Sequence, residues 1–278
     1  MGMAINNNLM ANNAYRNLNN TQNDVSKSME KLSSGLRINR AADDAAGLAI
    51  SEGLKSQVSG SAVASRNAQD GISLIQTTEG ALGEVTSVLQ RMRDLAVQGS
   101  NDTNNAASRT AIKKEADSLG KELDRITQST NFNGINLLQA GSKNIQVGTG
   151  GTVNDTISVN LGDVATAAGT LSSNTGATGF DVTSNAAAQT TITAIDAAIT
   201  AVSAQRSDLG ANQNRLEHAV KTLNVSGENL QAAQSRIADT DMAAEMVKYT
   251  KANILSQAGT AMLAQANQSG QGVLSLLR

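Results

Sequence analysis

The sequence predicts a mainly α-helical protein: a long antiparallel helical bundle or coiled coil, with paired N- and C-terminal helices and a small central β-hairpin region. The first observation behind this fold class is that apolar residues alternate three and four positions apart in both halves of the chain, as in a coiled-coil seam. The second is composition, because the 278 residues include no Pro, Cys or Trp and only two Phe and two Tyr. Ala, Leu, Ile and Val therefore build the core, which suits thin seams between helices that no proline kinks.

The first 44 residues predict a helix followed by a connector. Residues 1–34 are rich in Asn and carry a sparse heptad, which continues into the connector. The heptad residues are Val25, Met29, Leu32 and Leu36. Residues 35–44 contain Gly35 and the acidic pair Asp43-Asp44. Asp43 is a good N-cap for a helix that begins at Ala45, and a second carboxylate in the first turn favours the helix dipole.

Residues 45–130 predict two helices that fold back on each other. Residues 99–105 are all turn-forming and polar, and they interrupt two stretches of heptad spacing. The core positions predicted for these two helices are Ile75, Leu82, Val85, Leu89, Met92, Leu119, Leu123 and Ile126.

The stretch from about 139 to 188 predicts a short β and loop region. Asn133-Gly134 just before it is a tight-turn signal, and the alternating runs 144–147 and 156–160 are typical of short strands. Residues 150–185 fall outside every helical seam. We therefore expect these residues to be replaceable by a short Gly-Ser linker.

Residues 188–238 predict a long helix, a rod of roughly 70 Å at 1.5 Å per residue. Fourteen positions from Ile192 to Ile237 keep the heptad alternation, and ten of them are aliphatic. The predicted core residues are Ile195, Ile199, Val202, Leu209, Leu216, Val220, Leu223, Leu230 and Ile237. The four other seam residues, Arg206, Gln213, Gly227 and Gln234, are expected to set helix register or approach distance.

The last segment, 239–278, predicts a helix with apolar residues on more than one side. These residues are Met242, Met246, Ile254, Leu255, Ala258, Met262, Leu263, Leu276 and Leu277. They cannot all face one partner helix. We therefore predict that some of them contact neighbouring subunits.

Several classes of function find no support in the sequence. A net charge of −2 without a basic cluster does not indicate nucleic-acid binding, and no stretch reaches the roughly 18 apolar residues of a membrane span. His218 is the only histidine, and no HExxH motif is present. We predict no enzyme activity and no catalytic, cofactor or metal site. The first residues lack the pattern of a secretory signal, which by itself indicates a cytosolic protein.

A set of collinear motifs resembles bacterial flagellin. The run from Lys31 to Ile50, KLSSGLRINRAADDAAGLAI, is similar to the N-terminal signature of that family. Further matches include 66–73, 76–82, 89–98, 132–134, 209–217, 228–237, 239–245 and 254–278. The resemblance covers about 1–138 and 190–278, and leaves only the variable middle unmatched.

The resemblance implies a structural subunit that self-assembles into the flagellar filament, the helical propeller for swimming. By that pattern 1–34 and 239–278 form the inner tube, 35–44 the connector and 45–238 the rod, while large outer domains are missing. The heptad residues Val25, Met29, Leu32 and Leu36 and the apolar residues named in 242–277 are therefore predicted to drive subunit assembly. The resemblance also implies type III export to the outside of the cell without a cleavable signal. Its implied partners are other copies of the chain, the export apparatus, a chaperone that binds the C-terminal end, and the filament cap and hook-junction proteins.

The resemblance adds one further candidate partner, Toll-like receptor 5 of vertebrates. Arg91, Leu95 and Glu115 match the family positions that contact this receptor, whereas Met92 and Asp94 stand where Val and Glu are common. The alternative interpretation of these residues is an ordinary helix face and rod packing.

Two other protein classes are compatible with long heptad helices. A hook–filament junction protein has related termini, but typically carries Asp-Asp-Pro where this chain has Asp43-Asp44-Ala45. A soluble coiled-coil signalling protein of the chemoreceptor type would lack the Leu-Arg-Ile-Asn and Phe-Asn-Gly motifs, and would dimerise instead of forming a polymer.

Overall fold

Five helices account for most of the part of the chain that the structure describes. In this computed structural model, the described residues are 8–164 and 179–276, with side chains through 268. The helices are α1 (Leu9–Ser34), α2 (Ala45–Gly99), α3 (Ala106–Ser129), α4 (Asn185–Ala238) and α5 (Met242–Leu276). The mainly α fold class predicted from the heptad spacing is confirmed, and so is the loop between Gly99 and Ala106.

Short polar residues and a left-handed glycine define several helix ends. The Asn8 side chain accepts a hydrogen bond from the Ala11 N–H at the start of α1, and Asn105 does the same for Ser108 at the start of α3. Gly35 ends α1 with φ 73°, a conformation that a residue without Cβ adopts easily.

The start of α2 corrects the prediction for the acidic pair. Asp44 is the capping residue, because its Oδ1 accepts the Gly47 N–H at 2.8 Å. Asp43 points back into the connector, where its Oδ2 accepts the N–H groups of Asn39 and Arg40. These bonds hold the pKa of Asp43 below its usual value. The prediction of Asp43 as N-cap was wrong by one residue because both carboxylates are good caps, and only the connector's turn selects between them.

Two small antiparallel hairpins follow α3. Strands β1 (Asn131–Phe132) and β2 (Ile135–Asn136) are joined by Asn133 and Gly134, which have φ 50° and 77° and so form the predicted tight turn. Strands β3 (Gly141–Gln146) and β4 (Thr156–Leu161) pair over six residues, from Gly141 opposite Leu161 to Gln146 opposite Thr156. Both hairpins were predicted from the turn signal and the alternating runs.

The chain separates into two compact units. The terminal unit comprises the described residues of 1–58 and 228–278, and the central unit those of 59–227. Helices α2 and α4 contribute residues to both units. The division lies inside these helices, at Val58 and Glu228.

The central unit has one hydrophobic core that helices and hairpin share. Ion pairs join α2 to both partner helices, from Arg91 to Glu115 and from Arg93 to Asp196. On α4, Ile195, Val202, Leu209 and Leu216 are buried at intervals of seven residues, and all fourteen seam positions are buried or half-buried. Heptad spacing therefore matches the buried side of this helix.

Part of the segment 150–185, which was expected to be replaceable, packs in the core of the central unit, whereas residues 165–178 lie outside the described residues. Ile157, Val159 and Leu161 of β4 and Val164 are buried in the core of the central unit, as are Phe180 and Val182. Gly71 of α2 leaves room for this hairpin, since a Cβ there would collide with Ile145 of β3. Helical seam analysis missed these contacts because the residues pack on the helices as a strand and a loop.

Candidate assembly surface

The helices α1 and α5 pair in antiparallel orientation along the terminal unit. The Asn8 side chain donates to the Ala266 carbonyl at 2.9 Å, Gly259 lies against Leu18, and Ser28 contacts Glu245. In each of these three contacts the residue numbers of the two partners add up to nearly the same value. This is expected when two helices run antiparallel. The predicted pairing of N- and C-terminal helices is confirmed.

The connector is fastened to the segment between α4 and α5. Leu36 and Asp239 form an isolated antiparallel bridge, and the Thr240 N–H donates to the Gly35 carbonyl at 2.9 Å. The Arg37 N–H donates to the Ala238 carbonyl, and its guanidinium donates to the Ile237 carbonyl at 2.6 Å. At this crossing, hydrogen bonds hold the end of α1 next to the start of α5. Those that join backbone groups depend little on side-chain identity.

A second contact of the connector, which joins it to α2, was not predicted from the sequence. Ile38 is buried against Gly47 of α2, where a Cβ would meet Ile38 Cδ1 at 2.8 Å. The signal that could have identified it is an isolated Ile among polar and charged residues, followed at a short distance by a glycine inside a predicted helix.

A buried carboxylate lies between α1 and α5. Glu245 is only 6% exposed, its Oε1 accepts the Ser28 hydroxyl at 2.7 Å, and its Oε2 accepts Lys248 Nζ at 3.1 Å. The hydrogen bond from Ser28 is the main cause that lowers the pKa of Glu245; the charges of Lys248 and Lys31 add to it, and burial opposes it. Both partners of this contact were missed because heptad analysis looks for apolar seam residues.

Little apolar surface is hidden between the two terminal helices. Among the described side chains of α1 and α5, the buried ones are Ser28, Glu245 and Ala252. The large apolar side chains that remain exposed on α1 and α5 are Leu9, Met10, Tyr15, Met29, Met242, Met246, Val247, Ile254, Leu255 and Met262. In the central unit, by contrast, the exposed large apolar residues are all Val. The terminal unit therefore presents apolar surface that it cannot bury by itself.

This exposed surface is continuous on one side of α5. Met246, Val247, Thr250, Lys251, Ile254 and Leu255 line a groove of about 480 Å³. A second, polar groove of about 420 Å³ lies between α1 and α5 and contains Ser28 and Glu245 together with four lysines. Those lysines are Lys27, Lys31, Lys248 and Lys251.

The residues predicted to drive assembly are distributed around the helix pair. Val25, Leu32 and Leu263 are half-buried. Those that remain exposed are Met29, Leu36, Met242, Met246, Ile254, Leu255, Ala258 and Met262. The Leu276 side chain and Leu277 lie outside the described residues.

The residues predicted for the rod core lie in the seams of α2, α3 and α4. The buried ones are Ile75, Leu82, Val85, Leu89, Met92, Leu123, Ile126, Ile195, Val202, Leu209 and Leu216. The half-buried ones are Leu119, Ile199, Val220, Leu223, Leu230 and Ile237.

The three residues predicted to contact a host receptor do not share one surface. Arg91 and Glu115 are exposed and pair with each other, with Arg91 Nε 3.0 Å from Glu115 Oε1. Leu95 is 2% exposed, because it falls on the buried side of α2 with Met92 and Gly99. A partner on this face therefore meets the ion pair and not the Leu95 side chain.

The described residues contain neither a cluster of metal-ligating side chains nor a helix that could cross a membrane. His218 is exposed on α4, and no three His or acidic side chains in 8–164 and 179–268 converge as metal ligands would. None of the helices described above carries an apolar stretch that would span a lipid bilayer.

Two family models match this chain. Residues 5–143 match the bacterial flagellin N-terminal helical region, and residues 192–277 match the bacterial flagellin C-terminal helical region. Flagellin of Halalkalibacterium halodurans is 53% identical over 276 residues, which are 99% of this chain and 100% of that protein. The flagellar filament 33 kDa core protein of Treponema phagedenis is 47% identical over 99% of this chain and 100% of its own length.

Solved structures agree on the fold. Bacillus cereus flagellin has a TM-score of 0.50 and 34% identity, over 57% of this chain and 88% of that one. A putative flagellar hook-associated protein from Vibrio parahaemolyticus has a TM-score of 0.57 over 71% of this chain and 100% of its own. Its identity is 15%, so it supports the helical architecture alone.

Proposed function

The chain belongs to the bacterial flagellin family and is a structural subunit of the flagellar filament, and we propose that it polymerises through the paired helices α1 and α5. The observation that carries this proposal is the exposed apolar surface of the terminal unit. Burying such surface contributes roughly 25 cal/mol per Å². In a tube of identical subunits, neighbouring copies bury this surface on every subunit.

The distribution of the exposed residues favours an open polymer over a closed dimer. Met29 projects from α1, whereas Val247 and Ile254 project from α5, and all three remain exposed after the two helices have paired. One symmetric partner would cover a single patch, whereas head-to-tail contacts between different patches generate a helical filament.

We propose that different parts of the chain have different structural roles in the filament. Residues 1–34 and 239–278 form the inner tube, 35–44 the connector, and 45–238 the rod. The hydrogen-bonded crossing of the connector with residues 237–240 supports this division, because it joins the end of α1 to the start of α5 next to the proposed boundaries. The buried seams of α2, α3 and α4 support the rod, because these seams are filled within one subunit.

Two matched substitutions test the assembly surface. Val247 is 69% exposed on α5, and Val153 is 88% exposed next to β4, so each can be replaced by Glu without loss of core packing. Val247→Glu is expected to abolish filament formation, since a carboxylate would be buried without a partner. Val153→Glu should leave filaments unchanged. Electron microscopy with sedimentation measures both, and normal filaments from Val247→Glu would contradict the proposal.

Family membership also supports proposals about export and partners. We propose that the subunit is secreted through the flagellar export apparatus to an extracellular filament, where it meets cap and hook-junction proteins. The exposed apolar side of α5 would aggregate in a free subunit, which supports an export chaperone bound to the C-terminal end. Immunoblots of culture supernatant from cells with and without the export apparatus test the secretion step.

The ion pair of Arg91 and Glu115 supports a narrower proposal about Toll-like receptor 5. Both side chains are accessible in the single subunit, so a receptor could bind this face. The buried Leu95 side chain would then pack beneath the ion pair without contacting the receptor. The double variant Arg91→Ala and Glu115→Ala should lose receptor activation in a reporter cell assay, whereas Arg125→Ala on the exposed end of α3 should retain it. Equal activation by all variants would contradict this proposal.

A further inference from the structure

Methionine is unusually frequent on the assembly surface. Met10 and Met29 on α1 and Met242, Met246 and Met262 on α5 are between 47% and 75% exposed. Met92 in the core of the central unit is 0% exposed. Among the described residues, every exposed methionine therefore lies on the terminal helix pair. Met1 and Met3 lie outside the described residues.

Exposed thioethers differ chemically from the aliphatic residues beside them. Val247, Ile254 and Leu255 on the same surface do not react with mild oxidants, whereas a methionine sulfur reacts readily when it is accessible. The product, methionine sulfoxide, is polar and accepts strong hydrogen bonds, so it is poorly suited to an apolar contact between helices.

We propose that these five methionines are an oxidative modification site, at which a hydroperoxide converts the free subunit to a form that cannot polymerise. The inference rests on the proposed function, because the effect depends on α1 and α5 being the assembly surface. It goes beyond that function because it proposes that reversible oxidation of methionines on α1 and α5 controls polymerisation.

The reaction is balanced by the peroxide alone. A lone pair on the thioether sulfur attacks the terminal oxygen of the hydroperoxide, an S–O bond forms, and the O–O bond breaks. The sulfur is oxidised by two electrons, and the peroxide is reduced to water or to the corresponding alcohol. No protein group needs to supply a proton or electron beyond those that the peroxide carries.

Assembly changes the reactivity of the same sulfurs. In a free subunit they are open to solvent, whereas in a filament neighbouring copies cover those that take part in contacts. The control therefore acts on subunits before assembly and spares finished filaments. Met92 remains reduced in both states because the core of the central unit covers it.

The experiment uses purified full-length monomer treated with hydrogen peroxide. Peptide mass spectrometry is expected to find one added oxygen at the five exposed positions and an unmodified Met92. The treated protein should need at least about a tenfold higher concentration to polymerise, because one unpaired polar group buried at the contact costs at least ~1.4 kcal/mol. Filaments assembled before treatment should keep their length and should be oxidised more slowly at these positions.

The control replaces the five methionines with leucine, which is close in volume and cannot form a sulfoxide. This variant should polymerise equally well before and after peroxide, while Met1 and Met3 stay as they are. Methionine sulfoxide reductases added to oxidised wild-type monomer should restore polymerisation, which keeps the test independent of whether the leucine variant folds.

Two outcomes would overturn the inference. One is that oxidised wild-type protein, with sulfoxide verified at the five positions, polymerises at the same concentration as untreated protein. The other is that the leucine variant loses polymerisation on peroxide treatment as strongly as the wild type. Either result leaves the proposed function intact, which instead fails if the Val247→Glu variant forms normal filaments.

Discussion

At the scale of single residues, the contact between Ser28 and Glu245 shows how a thin seam between helices retains a charge. Both carboxylate oxygens are satisfied, one by the Ser28 hydroxyl and the other by Lys248. Removing one partner would leave a buried polar group unpaired, which costs about 1–3 kcal/mol. We infer that this contact fixes the register of α1 against α5 more than it adds stability, because an apolar pair could stabilise the seam as well.

The lowered pKa of Glu245 predicts the pH dependence of the helix pair. A carboxyl group whose pKa is lower in the folded state stabilises that state above its unfolded pKa, and this stabilisation is lost as the pH falls through the folded pKa. The charged groups that face it are Lys31 on α1 and Lys248 on α5. Acidification below about pH 4 should therefore weaken the pairing.

The measurement is light scattering of filaments during acid titration. Glu245→Gln keeps the shape of the side chain and removes its titration, so its filaments should show a shallower loss at acidic pH than the wild type. Glu84→Gln, an exposed substitution on α2, serves as control and should behave as the wild type. Identical titration curves for Glu245→Gln and the wild type would rule out this contribution.

Single residues also mark the limit of prediction from the sequence. The acidic pair before α2 was identified correctly as a helix start, but Asp44 and not Asp43 is the cap. The choice depends on the turn of the connector, in which Asp43 accepts the N–H groups of Asn39 and Arg40. Ile38 was missed for the same reason, since its partner Gly47 becomes visible only when the connector folds back.

At the scale of elements, local periodicity predicted the helices and strands well. Heptad spacing located α2, α3 and α4, and the Asn-Gly dipeptide located the turn between β1 and β2. Contacts between distant segments were less predictable. Phe180 is fully buried, yet neither a helical nor a strand pattern surrounds it in the sequence.

Phe180 provides the sharpest test of the central unit. Phe180→Ala should lower the free energy of unfolding by about 3–5 kcal/mol, because it leaves a cavity in a closed core. Val153→Ala, at an 88% exposed position of the same unit, should change it by less than ~0.5 kcal/mol. Denaturant unfolding followed by circular dichroism measures both. Equal effects of the two substitutions would show that the 179–184 segment is not part of this core.

At the scale of the whole molecule, the two compact units differ in how they bury apolar surface. The central unit fills its own core, with Leu82, Leu123 and Leu209 fully covered. On the described part of α1 and α5 most large apolar side chains are exposed, and the side chains that are buried, Ser28, Glu245 and Ala252, are small or polar. Ordering each residue of α1 and α5 costs roughly 1–2 kcal/mol of conformational entropy. The helix pair alone does not bury enough apolar surface to offset this entropy. Contacts with neighbouring copies are therefore needed.

Hydrogen–deuterium exchange on monomer and filament tests this dependence on neighbours most directly. We predict that amides of α1 and α5 exchange rapidly in a dilute, verified monomer and slowly in the filament. Amides of residues 75–99 in α2 and 192–227 in α4 should be protected in both states, because their core lies within one subunit. Strong protection of α1 and α5 in the monomer would contradict the claim that polymerisation completes the terminal helix pair.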